Sequence, residues 1–207
     1  MAGKLITLEG LDGAGKTTQL EWIRGFLERS GIQVCVTREP GGTKLGEALR
    51  TFLLDPQQHF HPETEALLMF AARREHLDKV IAPALARDEW VLCDRFTDAS
   101  FAYQAGGSGV EWDKIAALEA WVHGSLNPDV TFYFDVSPAR ARERTGAIKA
   151  ADRYEQEREE FHERTRAAYL RRAREQAQRI AVIDANASIE DVQAALEAVL
   201  TPLCRNK

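Results

Sequence analysis

Leu5-Ile-Thr-Leu-Glu-Gly10-Leu-Asp-Gly-Ala-Gly-Lys16-Thr17-Thr18 is the stretch on which the fold turns. A short apolar run of strand length leads into Gly, four residues, then Gly-Lys-Thr, and an amphipathic pattern of Leu20, Ile23, Phe26 and Leu27 follows until Gly31. This is P-loop spacing in the setting that it requires, behind a buried-type strand and at the head of a helix. The glycines let the backbone turn its N–H groups inward as an anion nest, and the helix N-terminus adds partial positive charge. Lys16 then reaches the outer phosphates and Thr17 offers a hydroxyl to Mg²⁺. Gly10, Leu11, Asp12, Gly13, Ala14, Gly15, Lys16, Thr17 and Thr18 are thus the expected cradle of a nucleoside triphosphate.

Working outward, further apolar runs of strand length stand at Ile32 to Val36, Trp90 to Cys93, Val130 to Phe134 and Ile180 to Ile183. Helical patterns separate them, the last being Ile189, Val192, Leu196 and Val199, opened by Ser188 with Asp191 three residues on. Continuous apolar strands joined by helical crossovers predict an α/β chain with a parallel sheet covered on both faces. Ligands in such folds bind beyond the carboxyl ends of the strands. One break interrupts the alternation, at Thr145-Gly-Ala-Ile-Lys-Ala-Ala-Asp152, ahead of a highly charged helix expected from about Tyr154 to Gln176. It is a candidate lid, at about 142–154, or an ordinary surface loop.

Composition bounds the rest. The 207 residues, 44% hydrophobic and 29% charged with 14 Gly and 7 Pro, match a globular chain and predict a single domain over 1–207. The net charge of −5, from 27 basic and 32 acidic residues, argues against a bulk electrostatic grip on nucleic acid or an anionic membrane. Any phosphate site must be local. Cys35, Cys93 and Cys204 are odd in number and far apart, which suits a reducing compartment. With neither a leader-like h-region nor an apolar stretch near 18 residues, the expected location is cytoplasmic.

Two strand ends carry chemistry. Trp90-Val-Leu-Cys-Asp94-Arg95 brings a carboxylate out of the core with an arginine beside it. Asp94 is a Walker-B-type candidate for the Mg²⁺ shell, or else a cap or ion-pair partner, and Arg95 offers a planar fork to an acceptor phosphate. Thr37-Arg-Glu-Pro-Gly-Gly-Thr43 places Arg38 and Glu39 at the same rim.

The P-loop, the Thr-Arg-Glu-Pro-Gly-Gly loop, Leu68-Met-Phe-Ala-Ala-Arg-Arg, Asp94-Arg-Phe and Ala102-Tyr-Gln104 stand in this order, and with them the chain resembles thymidylate kinases over nearly its whole length. The resemblance implies a three-layer P-loop NTPase fold with a five-stranded parallel sheet flanked by helices, and usually a homodimer. It implies transfer of the γ-phosphoryl group of ATP to dTMP with Mg²⁺, a step toward dTTP. By that similarity Asp12 faces the deoxyribose 3′-hydroxyl, Arg95 and Arg50 hold the acceptor phosphate, Ser100 and Gln104 lie near thymine, and Tyr103 crowds the 2′ position. Glu39 joins the substrate side, with a part in metal binding left open; Thr17 and Asp94 are the expected metal residues.

Two departures matter. The family's helix near residue 70 supplies an aromatic that stacks on thymine and, four residues later, an arginine that reads its O4. Arg73 aligns with that arginine, yet Met69 stands four before it, while Phe70 pairs at i+4 with Arg74. Either Met69 replaces the stack or the helix turns slightly to present Phe70, with Phe70 as a plain core residue the alternative. Some members also place an arginine in the P-loop, where this chain has Gly13. A transition-state cation must then come from Arg144, Lys149 or Arg153, and Asp152-Arg153 matches the lid pair of such relatives. Lys16, Arg95 and Arg153 are the expected catalytic set. The acceptor phosphate is largely a dianion at neutral pH, so no general base is required. A guanine-reading Asn-Lys-x-Asp is missing, since Asn127-Pro-Asp lacks the lysine, which sets a GTPase switch aside.

Overall fold

The computed structural model describes residues 3–145 and 152–205. Its centre is a five-stranded, all-parallel sheet: β1 (Leu5–Glu9), β2 (Val34–Arg38), β3 (Trp90–Asp94), β4 (Val130–Asp135) and β5 (Ile180–Asp184), in the order β2-β3-β1-β4-β5. The alternation of side chains along each strand divides the core in two. Ile6, Leu8, Trp90, Leu92, Phe132 and Phe134 point into one cluster, and Leu5, Val91 and Cys93 into the other. Both faces of the sheet therefore carry apolar core, with Thr7, Glu9 and Thr131 buried on the second, and the expected α/β architecture stands.

Helix α1 (Lys16–Arg29) packs Leu20, Ile23 and Leu27 on the first face, together with Leu196 and Leu200 of α9 (Ile189–Arg205). The second cluster takes Phe70 from α3 (Pro62–His76), Ile81 from a π-helical turn (Leu77–Ile81), Ala84 from α4 (Ala82–Ala86) and Ile115 from α6 (Trp112–His123). Helix α2 (Lys44–Leu54) follows β2, with the Thr43 hydroxyl accepting the Gly46 N–H at its start. A short α5 (Thr97–Ser100) runs into a second π-helical turn, Phe101–Gly107, against which α8 (Glu159–Glu175) lies; α7 (Pro138–Thr145) follows β4.

Local signals explain the boundaries. At the end of α1, Gly31 N–H reaches Glu28 O and Ile32 N–H reaches Leu27 O, the paired bonds of a Schellman close. That close draws Ile32 into the core, so β2 begins at Val34, two residues after the apolar run suggested. Ser188 Oγ accepts the Asp191 N–H at 3.1 Å and opens α9 as its spacing predicts. The charged helix starts at Glu159 rather than near Tyr154. The Asp152 carboxylate accepts the N–H groups of Tyr154 and Glu155, each at 3.0 Å, and holds that segment in a turn.

Candidate active site

Beyond the carboxyl end of β1 the P-loop curls with positive φ at Gly10, Gly13 and Gly15. Lys16 heads α1 but is buried, and its ammonium donates to the carbonyls of Gly10 (3.1 Å) and Leu11 (3.0 Å) and lies 3.8 Å from Asp12. Burial and then the Arg95 charge lower its pKa, against Asp12, Asp94 and Glu9, which raise it. Thr17 and Thr18 are exposed in the first turn of α1. At Gly13 the backbone leaves no space: a Cβ would stand 2.3 Å from the Ala141 carbonyl oxygen of α7, at φ +83°.

β3 pairs with both β1 and β2, so its last residues reach the rim beside the loop. Arg95 adopts a left-handed φ of 67° and turns back over the P-loop. Its guanidinium donates to Gly10 O (2.9 Å) and Asp12 Oδ1 (2.8 Å) and lies over the Tyr103 ring. Arg50 comes from α2 and donates to the Pro40 carbonyl at 3.0 Å. Its pKa is lowered by burial and by the charges of Arg38 and Arg95. Cations held together against their own repulsion form a site that an anion would relieve. Asp94 keeps Oδ1 buried with no hydrogen-bond partner among the described residues. A carboxylate oxygen left over at the end of β3, together with the hydroxyl of the exposed Thr17 at the head of α1, is the donor type that Mg²⁺ takes, with water retained.

Next to the P-loop lies a cleft of about 600 Å³, its open mouth included. Of the residues expected on the acceptor side, Asp12, Glu39, Arg50, Arg73, Arg95, Ser100, Tyr103 and Gln104 all line it. They come from four helical elements and three loops and meet in one place. Phe70 is the exception and is corrected here: it is buried in the second core cluster, beneath the Arg73 guanidinium at 4.5 Å, and Met69 faces the cleft instead. One helix cannot turn neighbouring residues 69 and 70 to the same face, because they stand about 100° apart. Arg73 is the arginine in the cleft, while Arg74 donates to the Val122 carbonyl and pairs with Asp78. Glu39 accepts from Arg73 Nε at 2.7 Å, which commits it to a guanidinium.

The lid side is arranged differently from expectation. Asp152 lines the cleft, but Arg153 does not: it donates to Glu65 of α3 and to the Leu53 carbonyl of α2, with its guanidinium over the rings of Tyr154 and Phe60. Arg144, on the lid side, touches the P-loop, donating to Gly13 O at 3.4 Å and to Ala185 O at 3.1 Å. Lys149 lies outside the described residues, as does the middle of the lid segment, 146–151.

Known proteins resemble this chain over nearly its whole length. A model of the family described as thymidylate kinase matches residues 8–196. The chain belongs to the thymidylate kinase family. A thymidylate kinase of Nitrosospira multiformis is 64% identical over 197 residues, which cover 95% of this chain and 96% of that one. A Burkholderia cenocepacia thymidylate kinase is 57% identical over 206 residues, covering 98% and 99%. The crystal structure of thymidylate kinase from Ehrlichia chaffeensis superposes with a TM-score of 0.79 at 34% identity, covering 97% of this chain and 99% of that one.

Several residues at this thymidylate kinase cleft were not legible in the sequence. Phe96 and Tyr154 line it, and the Tyr154 hydroxyl donates to Glu65 Oε1 at 2.7 Å. Gln104 Nε2 donates to the same oxygen at 2.8 Å, so Glu65 ties acceptor side to lid side. Glu9 is fully buried below the rim, with Oε1 accepting the N–H groups of Phe96 (2.7 Å) and Ala99 (3.2 Å) and Oε2 accepting the Tyr169 hydroxyl (2.7 Å). Burial, reinforced by the Asp98 charge, raises its pKa to about 8 against Arg95 and those hydrogen bonds. The one available signal was a glutamate inside an otherwise apolar strand, Leu5 to Gly10.

Proposed function

We infer that this chain transfers the γ-phosphoryl group of ATP to dTMP, yielding ADP and dTDP on the route to dTTP. A single observation carries the reading: Arg95, the cation assigned to the acceptor phosphate, is hydrogen-bonded to Gly10 and Asp12 of the phosphate loop and also lines the neighbouring cleft. Donor and acceptor phosphates bound there are adjacent by construction. An oxygen of the dTMP phosphate attacks the γ-phosphorus, the bond to the β,γ-bridging oxygen breaks, and ADP leaves. The attacking group is already anionic, so catalysis consists of aligning two anions and neutralising the charge that moves.

Lys16 serves the β- and γ-phosphates, and Arg95 with Arg50 serves the acceptor. Ser100, Gln104 and Arg73 face the base, Met69 covers it, and Tyr103 fills the space that a ribose 2′-hydroxyl would need. Thr17 and Asp94 are the residues that would hold Mg²⁺, which would offset the negative charge of the phosphates. Arg153 completes the catalytic set once it leaves Glu65, with residues 142–154 closing as a lid over the bound nucleotides.

The assembly is a homodimer through α3 and α6. Support comes from Leu67 and Trp121, which are 55% and 79% exposed and flank a groove walled by Ala66, Val110 and Leu118. An apolar surface of this kind is a mark of association. No helix among the described residues is long and apolar enough to cross a membrane, and no disulfide joins Cys35, Cys93 and Cys204 among the described residues. A cytoplasmic location agrees with both.

The decisive assay couples ADP release to each of dTMP, dUMP, dGMP and dCMP, with and without Mg²⁺. Turnover with dTMP alone, dependent on the metal, is expected. Equal turnover of a purine nucleotide, or ADP release without any acceptor, overturns the assignment.

A further inference from the structure

His76 closes α3 fully buried, at 0% exposure, and does not line the cleft, so it cannot touch a nucleotide there. Both of its ring nitrogens are nevertheless engaged. Nδ1 lies 2.9 Å from Glu39 Oε1, and Nε2 lies 2.6 Å from the Thr37 hydroxyl at the end of β2. All four atoms are satisfied when Nδ1–H donates to the carboxylate and Nε2 accepts the hydroxyl proton, so that Thr37 selects the tautomer. The contact needs space, and the loop supplies it. At Gly42, where φ is +76°, a Cβ would stand 2.5 Å from His76 Nε2 and 2.7 Å from Thr37 Oγ1.

Glu39 gives its other oxygen to Arg73 Nε at 2.7 Å. Arg73 also donates from Nη1 to Ser100 Oγ at 3.1 Å and from Nη2 to the Phe96 carbonyl at 3.2 Å, and its guanidinium lies over the Phe70 ring at 4.5 Å. Three of the five N–H groups of a guanidinium are thereby taken, leaving one on each terminal nitrogen. Burial would raise the pKa of Glu39, but the Arg73 charge and the His76 hydrogen bond hold it below the ordinary carboxylate value, so the relay keeps its anion.

We propose that His76 is a positioning residue for base selection: Thr37, His76 and Glu39 hold Arg73 so that only donor hydrogens face the acceptor base. A pyrimidine with a carbonyl oxygen at position 4 is accepted, and one with an amino group there is rejected. The relay rests on the reading of this cleft as the dTMP site. A site built of fixed donors rejects a ligand that cannot accept, because buried polar groups would then go unpaired.

The test is steady-state kinetics with dTMP and dCMP on wild type, His76→Phe, His76→Asn, Thr37→Val, Arg73→Ala and the His76→Phe/Arg73→Ala double variant. His76→Phe is expected to raise KM for dTMP and to lower the dTMP:dCMP ratio of kcat/KM by about tenfold each, with KM for ATP and kcat within about threefold. His76→Asn, whose amide nitrogen falls near the place of Nδ1, keeps the bond to Glu39 and restores most of the ratio. In the Arg73→Ala background His76→Phe has no further effect, which is the mark of a residue acting through Arg73. An unchanged ratio in His76→Phe, or an undiminished effect of it in the Arg73→Ala background, overturns the proposal. Should His76→Phe not fold, Thr37→Val decides: a ratio reduced about threefold supports the relay, and a wild-type ratio overturns it. If Arg73→Ala itself leaves the ratio intact, the base-facing role of Arg73 falls first and the relay falls with it.

Discussion

Arg153 donates to Glu65 and to the Leu53 carbonyl, so a part in the reaction requires it to break both contacts first. The two functions have different signatures. A cation that meets only the transition state accounts for roughly 10³ to 10⁵ in rate, whereas an anchor acts on stability. Arg153→Ala is expected to lower kcat by that order with dTMP affinity nearly unchanged, measured by steady-state turnover beside equilibrium dTMP titration. A loss below tenfold makes Arg153 an anchor of α3 alone. Glu9 yields a second expectation. With a pKa of about 8 in the folded chain against 4.5 when unfolded, it holds a proton between those values that the unfolded chain has released. Its contribution to stability is full below pH 4.5 and declines as pH rises through 8. Glutamine can replace the protonated acid, its carbonyl accepting from Phe96 and Ala99 while its amide donates to Tyr169. Glu9→Gln should gain on wild type by about 3–5 kcal/mol between pH 5 and pH 8.5 in urea titrations. The loops at 10–18 and 37–43 were legible at this scale because their chemistry is local. Glu9 was not, since its partner Tyr169 lies 160 positions away.

One carboxylate of α5 ties helix α8 and the segment after it into the fold. Asp98 accepts from Arg172 Nε at 2.8 Å and from both terminal nitrogens of Arg179, at 2.7 and 2.8 Å, just before β5. Arg172 also pairs with Glu119 of α6, and Arg179 reaches Thr131 Oγ1, which shares a 2.7 Å bond with Thr7. Three helices, two strands and the turn before β5 thus meet at a buried charge cluster. Removing one member leaves others uncompensated, which costs roughly 3–5 kcal/mol. Asp98→Ala is expected to lower the unfolding free energy by that amount at pH 7, measured by urea titration. Burial raises the Asp98 pKa, but Arg179 and Arg172 pull it below 3.8, so the clamp is present above that pH and lost as acid titrates it. None of this was readable from periodicity. Helix ends marked by Gly31 and Ser188 were, because capping is a short-range code. The π-helical turn that carries Tyr103 and Gln104 was not, because widening a helix leaves no mark in apolar spacing.

Across the whole molecule, the sheet order brings the ends of β2, β3 and β1 side by side, and this collects Glu39, Asp94, Arg95 and the P-loop from distant parts of the chain. The alternation of apolar runs and helices was enough to foresee a parallel sheet with its site at that edge. Side-chain facing within α3 was not foreseeable, since Met69 and Phe70 are equally apolar and only docking decides which one meets the core. The outer faces of α3 and α6 carry the dimer proposal. Trp121→Glu places a charge beside the groove of that face and is expected to convert the dimer to monomer in sedimentation velocity; an unchanged dimer would move the interface elsewhere. Lid closure predicts slower protease cutting between residues 145 and 152 when a bisubstrate analogue is bound, and equal cutting rates at saturating analogue exclude it.

Gly13 sets a condition on how such enzymes can be rebuilt. With the Ala141 carbonyl 2.3 Å from where a first side-chain carbon would sit, an arginine grafted into that loop position has no room until the helix behind it retreats. The two ways of supplying the cation are therefore not interchangeable by single substitution. A lineage or a designer moving between them must retreat the backbone near residue 141 first, and a lone Gly13→Arg exchange would distort the phosphate cradle before it could help the chemistry.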